Sequence, residues 1–172
     1  MVDLFVYHFA ADSGTPDASG IRIVSVEEAT EKQRISRSIL EALPEWFGIS
    51  EAREQYIKES VAQPFFAAVD AEKAIGFLCL KETGKETVEL SVMGVLKDYH
   101  RRGIGRKLFE RAKKVAENLG YSFMQVKTVQ MGRYAEYDAT NRFYRSLGFK
   151  EFELFPTLWD GRNPCQIYVM NV

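Results

Sequence analysis

Hydrophobic residues recur at helical spacing over residues 104–119. The apolar positions are separated by three or four residues: Ile104, Leu108, Ala112, Val115, Ala116 and Leu119. This spacing places them on one face of a helix, and Gly120 follows where a glycine commonly ends one. The preceding apolar run, residues 92–96, has the character of a strand. The pattern therefore predicts a strand, a short turn and a helix in succession.

Alternating and periodic runs elsewhere predict a mixed sheet with helices. Strands are expected over residues 21–26, 65–70, 74–82, 87–96, 123–129, 151–155 and 166–172. Helices are expected from about residue 29 to Pro44, from Ser50 as N-cap to about residue 62, and over 139–147 after Asp138 as a cap. The first four strands are expected to be antiparallel, and the helix 104–119 to lead to a parallel strand. The predicted class is α/β (α+β).

The chain of 172 residues is expected to form one domain over residues 21–172. Residues 4–9 are apolar, whereas residues 12–20 are rich in turn-forming residues, and residues 1–20 are expected to be a flexible N-terminal extension. No apolar run approaches the roughly 20 residues of a membrane span. The net charge of -1 gives no general attraction to nucleic acid or to anionic lipid.

Cysteine and histidine usage limits redox and metal chemistry. Cys79 and Cys165 lie in apolar strand patterns, so buried free thiols are expected, with a disulfide or a reactive role as the alternative. Only two histidines, His8 and His100, are available, so a zinc site has little to draw on. These features favour a cytoplasmic protein that contains no metal.

A basic, glycine-spaced turn opens the helix that begins near residue 104. Gly103 and Gly105 have no Cβ, so a ligand could approach the backbone there. The first amides of a helix lack partners and the helix dipole attracts anions, which suits a phosphate. Three residues add positive charge: Arg101, Arg102 and Arg106. A solvated basic turn, with glycines needed only for geometry, is the alternative.

Two known phosphate-binding motifs are excluded. The chain has no Gly-x-x-x-x-Gly-Lys-Ser/Thr sequence, so a P-loop is not supported. Leu108 occupies the place of the third glycine in the dinucleotide-binding fingerprint.

Two runs resemble motifs of the GNAT (Gcn5-related) N-acetyltransferases. Residues 99–105, Tyr-His-Arg-Arg-Gly-Ile-Gly, resemble motif A, which is usually Gln/Arg-x-x-Gly-x-Gly/Ala, and His100 departs from it. Residues 141–149, Asn-Arg-Phe-Tyr-Arg-Ser-Leu-Gly-Phe, resemble motif B in the family's order. The resemblance implies a GNAT fold over residues 21–172. That fold has a central mixed, mostly antiparallel six- to seven-stranded sheet, flanked by about four helices and splayed at an acetyl-CoA cleft.

The resemblance also implies where acetyl-CoA binds. The pyrophosphate is expected at the motif A turn, formed by His100, Arg101, Arg102, Gly103, Ile104, Gly105 and Arg106. The backbone of Met93, Gly94 and Val95 is expected to bind the pantetheine arm and the thioester carbonyl. Gly94 is the expected site of a bulge, and an ordinary strand glycine is the alternative. Asn141 is expected to bind the cofactor arm.

Two residues are candidate catalytic groups on the same resemblance. Tyr144 matches the motif B tyrosine, which lies near the thioester sulfur as a general acid in many GNATs; packing alone is the alternative. Glu89 lies on the motif A strand, in a position similar to the catalytic glutamate of histone-acetylating members. The alternatives for Glu89 are a solvent-facing side chain, or a water chain in place of a dedicated base.

The acceptor is the part that the sequence specifies least. Candidate rim residues are aromatic or acidic: Trp46, Phe47, Tyr134, Glu136, Tyr137, Asp138 and Trp159. Such a surface would suit a small cationic amine, but Trp46 and Phe47 could instead hold two helices together, and Glu136 and Asp138 could be solvated loop residues.

The sequence therefore predicts an acetyl-CoA-dependent N-acetyltransferase that acts on a small amine by direct transfer in a ternary complex. The alternatives are a protein or peptide amino group as acceptor, or a non-catalytic acyl-CoA-binding or sensing domain. A nucleic-acid-binding module is disfavoured by the near-neutral charge and by the lack of aromatic residues within the basic run. Nucleic acid and membrane are not expected partners, and a homodimer is reasonable.

Overall fold

The computed structural model describes residues 20–172, and these residues form a seven-stranded sheet with five α-helices. The strands are β1 Ile21–Ser25, β2 Phe65–Asp70, β3 Lys73–Gly84, β4 Thr87–Val95, β5 Phe123–Val129, β6 Lys150–Asp160 and β7 Asn163–Asn171. The helices are α1 Ala29–Glu41, α2 Pro44–Phe47, α3 Ser50–Ser60, α4 Ile104–Asn118 and α5 Ala135–Ser146. The prediction of a mixed sheet flanked by helices is confirmed. The expected flexible extension lies outside the described residues, except for Gly20.

The strand order places the parallel pair of strands in the middle of the sheet. The order is β1-β2-β3-β4-β5-β7-β6, and β4 with β5 is the one parallel pair within residues 20–172. This pairing is short, because it extends only from Thr87 opposite Phe123 to Glu89 opposite Gln125. Beyond it the two strands diverge. The predicted splayed sheet is confirmed.

Helices cover the sheet on both faces, and the alternation of strand residues assigns each side chain to a face. Helices α1 and α3 pack on one face, where Ile39 and Ile57 join the buried residues Phe77 and Val92. Helix α4 packs on the other face, where Leu108 joins a cluster that also includes Tyr144 of α5. The periodic apolar stripe of α4 is therefore the face that the sequence predicted.

A β-bulge in β4 lies at Ser91 and not at Gly94, so the predicted position of the bulge was wrong. Cys79 pairs with Val92 and Leu80 pairs with Leu90, which leaves Ser91 as the extra residue. Its hydroxyl donates to Gln63 Oε1 at 2.7 Å. The bulge adds one residue to β4, so the alternation of its side chains between the two faces of the sheet is reversed after Ser91. Leu90 therefore faces α4, whereas Val92 faces α1 and α3.

Gly94 is needed for the close packing of α1. A Cβ at this position would lie 2.8 Å from Ile39 Cγ2 and 3.1 Å from Leu43 Cδ1, both on the α1 side of the sheet. The absence of a side chain at Gly94 therefore lets α1 pack closely against β4. The predicted binding of the cofactor by the Gly94 backbone stays a prediction.

Several predicted boundaries were wrong at polar segments. Ser50 is the first residue of α3, and Ile49 occupies the N-cap without a side-chain hydrogen bond. Helix α5 begins at Ala135, so Asp138 lies in its first turn, where its carboxylate accepts from Gly132 N at 2.7 Å. The sequence prediction placed Asp138 as the cap of a helix that starts at residue 139. Its carboxylate instead accepts from Gly132 in the loop before α5, which begins four residues earlier, at Ala135.

The two cysteines are buried and neither forms a disulfide, as predicted. Burial raises the pKa of the Cys79 thiol far above its ordinary value and the pKa of Cys165 to about 11. Both thiols therefore stay protonated near neutral pH.

Residues 20–172 contain no helix long and apolar enough to cross a membrane, and no cluster of three or more potential metal-ligating side chains.

Candidate active site

The divergence of β4 and β5 opens a gap whose two sides are strand edges. The edge of β4 that faces away from the gap stays hydrogen-bonded to β3 as far as Val95. The edge of β5 that faces away from the gap stays paired with β7 as far as Val129. The inner edges, residues 90–95 and 126–129, therefore have no strand partner within the described residues. Such an edge offers amides and carbonyls to an extended ligand.

The N-terminus of α4 lies directly after β4 and is open. Gly103 is the N-cap, with φ of 76°, and provides no side-chain cap for the first amides of the helix. A Cβ at Gly103 would meet nothing within 4 Å. Arg101, in the turn before it, also has a positive φ, at 63°. The helix start therefore combines unpaired amides, a favourable dipole and free space, which suits an anion.

Gly105 has a different role from the one that the sequence suggested. A Cβ there would lie 2.9 Å from Met93 Cε and 3.0 Å from Phe143 Cζ. The lack of a side chain therefore lets α4 pack closely on β4 and α5, and the predicted contact of the Gly105 backbone with the pyrophosphate stays a prediction. Only Gly103 has the open space expected of a phosphate contact.

The basic side chains around the turn have partly structural positions. Arg106 Nη2 donates to the Ser146 carbonyl at 3.2 Å, near the end of α5. The Arg102 guanidinium lies over the Tyr99 ring, 5.1 Å from its centroid. Arg101 is exposed. The turn therefore has a positive field, although the Arg106 side chain is already bonded within the protein.

His100 lies just beyond the end of β4 and contacts two protein groups. Its Nε2 donates to the Val95 carbonyl at 2.7 Å, which requires a proton on that nitrogen. Its ring also packs edge-on against Trp46, with centroids 6.0 Å apart. The imidazole is therefore bound to protein groups, and its predicted pyrophosphate contact stays a prediction.

Tyr144 lies on the buried face of α5, beside Phe143 and Phe149. Burial raises the pKa of its hydroxyl far above the ordinary value, and the nearby Tyr56 and Tyr137 raise it further. The phenol is therefore protonated throughout the neutral range. A protonated hydroxyl is the form that a general acid needs.

Asn141 is fully buried one turn before Tyr144, and its polar atoms bond to the protein. Its Nδ2 donates to the carbonyls of Val129 at 2.9 Å and Tyr137 at 2.7 Å. Its Oδ1 accepts from the Tyr168 hydroxyl at 2.7 Å. These bonds attach α5 to the end of β5 and to β7. A direct contact with the cofactor arm stays a prediction.

Glu89 lies at the point where β4 and β5 separate. Its neighbours Val88 and Leu90 face the α4 side, so Glu89 faces the α1 and α3 side. Its carboxylate accepts from Gln125 Nε2 at 3.1 Å and forms an ion pair with Lys127. The carboxylate is therefore held at the start of the gap, on the opposite face from Tyr144.

Tyr56 is a candidate site residue that the sequence did not reveal. Burial raises the pKa of its hydroxyl, and the charge of Glu89 is the next cause. Tyr56 also raises the pKa of Tyr137, to about 12, although burial contributes more. Its ring packs against Phe47 at 6.0 Å. In the sequence, Tyr56 fits the apolar stripe of α3, so only the fold shows that it lies near Glu89.

Helix α2 joins the elements around the gap. Trp46 Nε1 donates to Thr140 Oγ1 at 3.2 Å, and the Trp46 carbonyl accepts from the Tyr137 hydroxyl at 2.9 Å. These bonds attach α2 to α5, while Phe47 contacts α3. Trp46 and Phe47 therefore hold helices together. Among the other rim candidates, Tyr134 contacts Tyr137 at 6.0 Å, and Trp159 is exposed on β6.

A family model described as an acetyltransferase (GNAT) domain matches residues 61–151, more than half of the chain. No curated protein has a significant sequence match to the chain.

Solved structures share the fold. One is a GNAT family acetyltransferase from Elizabethkingia anophelis with acetyl-CoA bound, which is 17% identical with a TM-score of 0.71, covering 91% of this chain and 100% of that one. The ribosomal-protein-S18-alanine N-acetyltransferase of Escherichia coli is 20% identical with a TM-score of 0.71, covering 88% and 94%. An IAA acetyltransferase from Bacillus cereus is 20% identical with a TM-score of 0.69, covering 88% and 99%.

Proposed function

Because the chain belongs to the GNAT acetyltransferase family, we propose that it transfers an acetyl group from acetyl-CoA to a primary amine of a small molecule. The observation that carries this proposal is the gap between β4 and β5, which leads to the uncapped start of α4. Transfer takes place directly, in a ternary complex.

Acetyl-CoA binds with its pyrophosphate at α4 and its pantetheine arm in the gap. The open space at Gly103 is suited to a phosphate, and the first amides of α4 donate to it. Arg101 and Arg102 add positive charge. The edge of β4 at Met93, Gly94 and Val95 has no strand partner on the gap side and supplies backbone groups to the pantetheine amides, although the Val95 carbonyl already accepts from His100. The residues present therefore fit this co-substrate.

The reaction forms a C–N bond and breaks the C–S bond of the thioester. The amine must first lose a proton, and Glu89 accepts it directly or through water. Gln125 and Lys127 hold the Glu89 carboxylate in position. Tyr144, whose buried hydroxyl is protonated at neutral pH, donates a proton to the departing thiolate and regains one from the nitrogen that has formed the amide bond. Tyr56 links the two groups, because burial and the Glu89 charge raise the pKa of Tyr56, and burial and Tyr56 in turn raise the pKa of Tyr144.

The acceptor amine enters from the side of α1 and α3. Tyr56, Tyr137 and Phe47 form an aromatic group there, close to the Glu89 carboxylate. Aromatic faces beside a carboxylate favour a small cationic amine, through cation–π and charge attraction.

A protein or peptide amino group is the second candidate acceptor. The structural neighbour from Escherichia coli acts on a ribosomal protein, according to its name. A homodimer and a cytoplasmic location stay predictions.

The test is release of free CoA thiol from acetyl-CoA in the presence of two acceptor panels. One panel contains small mono- and diamines, and the other contains short peptides with a free N-terminus. Each acceptor is paired with its N-acetylated form as a matched control. The proposal predicts thiol release with a small amine and none with its acetylated control. Release with peptides alone would support the second candidate, and release with neither by protein that binds acetyl-CoA would favour a sensing domain.

A further inference from the structure

Arg53 of α3 forms no ion pair with a carboxylate in the part of the chain that the structure describes. Its one hydrogen bond among residues 20–172 runs from Nη1 to the Phe47 carbonyl, at 3.3 Å. The adjacent Glu54 carboxylate is bonded through both oxygens to Arg37, at 2.7 and 2.8 Å. An arginine stays protonated in proteins, and a charge that is partly removed from water without a counter-ion is costly. The guanidinium therefore lacks an anionic partner.

The Arg53 side chain is turned towards the interior. Arg53 shares a face of α3 with Ile57 and Ser60, four and seven residues later, and both of these are buried. The Arg53 Nε is also buried and makes no hydrogen bond within residues 20–172. Nη2 makes none with these residues either, but it remains accessible. The guanidinium thus lies under the helix and keeps one nitrogen within reach of a ligand.

The groups around this guanidinium belong to the acceptor side of the gap. Phe47, whose carbonyl Arg53 binds, packs its ring against Tyr56 with centroids 6.0 Å apart. Tyr56 follows Arg53 by three residues, so the two side chains leave neighbouring positions of α3. After burial, the charge of Glu89 is the next cause that raises the pKa of Tyr56, so its hydroxyl lies near that carboxylate. Arg53 and Glu89 therefore both adjoin the aromatic pair of Phe47 and Tyr56.

A second cation on this side, Lys127, is already paired. Its Nζ forms an ion pair with Glu89 Oε2, so these two side chains are neutral together. With Arg53, the three groups carry one net positive charge, which belongs to the guanidinium. A ligand that brings an amine to Glu89 would balance this charge if it also carried an anion.

We propose that Arg53 Nη2 donates to a carboxylate of the acceptor, so that the acetylated amine is an amino acid or another small amino carboxylate. The inference rests on the proposed function and narrows its acceptor. A guanidinium is the side chain that proteins commonly use to bind a carboxylate, because its planar donors match the carboxylate oxygens. Phe47 and Tyr56 pack against the carbon chain between the amine at Glu89 and the carboxylate at Arg53.

The test measures kcat/KM, by release of CoA thiol, for a set of α-amino acids and linear ω-amino acids. Each amino acid is paired with its carboxamide, which keeps the size and loses the charge. At least one amino acid should exceed its carboxamide about tenfold or more, because a charge-assisted hydrogen bond is lost in the carboxamide. The difference should lie mainly in KM, since the carboxylate is bound equally before and during the reaction.

Two variants remove the charge of Arg53. Arg53→Gln keeps a donor for the Phe47 carbonyl and Arg53→Met keeps an apolar stem, and thermal unfolding shows which of them is folded. In a folded neutral variant the ratio between amino acid and carboxamide should fall to about one, whereas Arg53→Lys, which keeps the charge without the planar donors, should retain part of it.

Arg34→Gln is the matched control. Arg34 is exposed on α1, and its Nε donates to Glu31 of the same helix at 2.7 Å. Removal of this distant charge should leave the ratio as in the wild type. The control separates a local contact at Arg53 from a general change in the charge of the protein.

Three results would count against this account, and they differ in what they contradict. Acetylation of amines with no preference for any carboxylate would overturn the inference and leave the proposed function intact. A preference that persists in the folded neutral variants would assign the carboxylate to another cation and would also overturn it. Failure of the wild type to acetylate any amine would contradict the proposed function, on which the inference rests.

Discussion

At the residue scale, the burial of Tyr144 determines which form of its hydroxyl is present. Because the aromatic cluster excludes water, the neutral phenol is favoured and its pKa rises. The sequence identified this tyrosine through its motif and its place on the helix. It named Tyr137 only as a candidate for the acceptor rim and did not single out Tyr56, and it did not show that both hydroxyls raise the pKa of Tyr144, because they come from an earlier turn of α5 and from α3.

Replacing Tyr144 with phenylalanine should lower kcat about 10²-fold, since general acid catalysis contributes on that order. Affinity for acetyl-CoA should be unchanged, because the ring and its packing are retained. Steady-state kinetics on an established acceptor, with calorimetry, checks both. Tyr121→Phe is the control, since its hydroxyl donates to Glu82 at 2.6 Å, away from the gap. Unchanged kcat for Tyr144→Phe would show that this tyrosine is not the acid.

Glu89 and Lys127 provide a second test at the residue scale. Glu89→Gln removes the proposed base and should lower kcat/KM for the amine about 10²-fold. Lys127→Met removes the ion pair but keeps the carboxylate, so its kcat/KM should remain within about fivefold of the wild type. Equal losses in the two variants would show that the ion pair matters and that Glu89 is not the base.

At the element scale, the start of α4 has a matched counterpart at its end. Gly103 and Gly120 have φ of 76° and 84°, and a Cβ at either position would meet nothing within 4 Å. Replacing either glycine with valine therefore imposes a similar backbone strain, about 1–2 kcal/mol. Only Gly103 lies at the proposed pyrophosphate site.

Gly103→Val should weaken acetyl-CoA binding at least about tenfold, because its side chain enters the space of the phosphate and charge-assisted bonds are lost. Gly120→Val should bind normally while losing similar thermal stability. Calorimetry and thermal unfolding of both variants provide the measurement. Equal affinities of the two variants for acetyl-CoA would show that the pyrophosphate does not bind at the start of α4.

The elements that the sequence predicted correctly are those with a strong internal period. Helix α4 and strand β5 agree with their patterns because each buries a regular apolar face, and strand β2 agrees because its continuous apolar run is buried on both faces of the sheet. The bulge at Ser91 was not predictable, since it depends on pairing with β3 and on a hydrogen bond to Gln63. Gly94 and Gly105 were assigned to function, but each permits a close contact between elements that are distant in the sequence.

At the scale of the whole molecule, buried tyrosines couple stability to alkaline pH. Burial raises the pKa of Tyr56, Tyr137, Tyr144 and Tyr168, in the case of Tyr137 to about 12. Unfolded tyrosines ionise near about pH 10, whereas these remain protonated in the folded protein. Unfolding therefore releases protons above that pH, and stability must fall as the pH rises.

The free energy of unfolding should accordingly be lower at about pH 11 than at about pH 8, in contrast to a protein whose tyrosines are exposed. Denaturant titrations at the two pH values provide the measurement. Tyr144→Phe should show a smaller decrease, because it has one buried ionisable group fewer. A free energy of unfolding that does not change over this range would contradict the burial of these hydroxyls.

The proposed activity as a whole depends on the gap between β4 and β5 holding acetyl-CoA. The most direct measurement is calorimetric titration of the folded protein with acetyl-CoA, with CoA and dephospho-CoA alongside. The structure predicts saturable binding of acetyl-CoA and CoA at one site per chain, weakened at least about tenfold in Gly103→Val. Absence of binding by wild-type protein shown to be folded would contradict the proposed site and, with it, the proposed function.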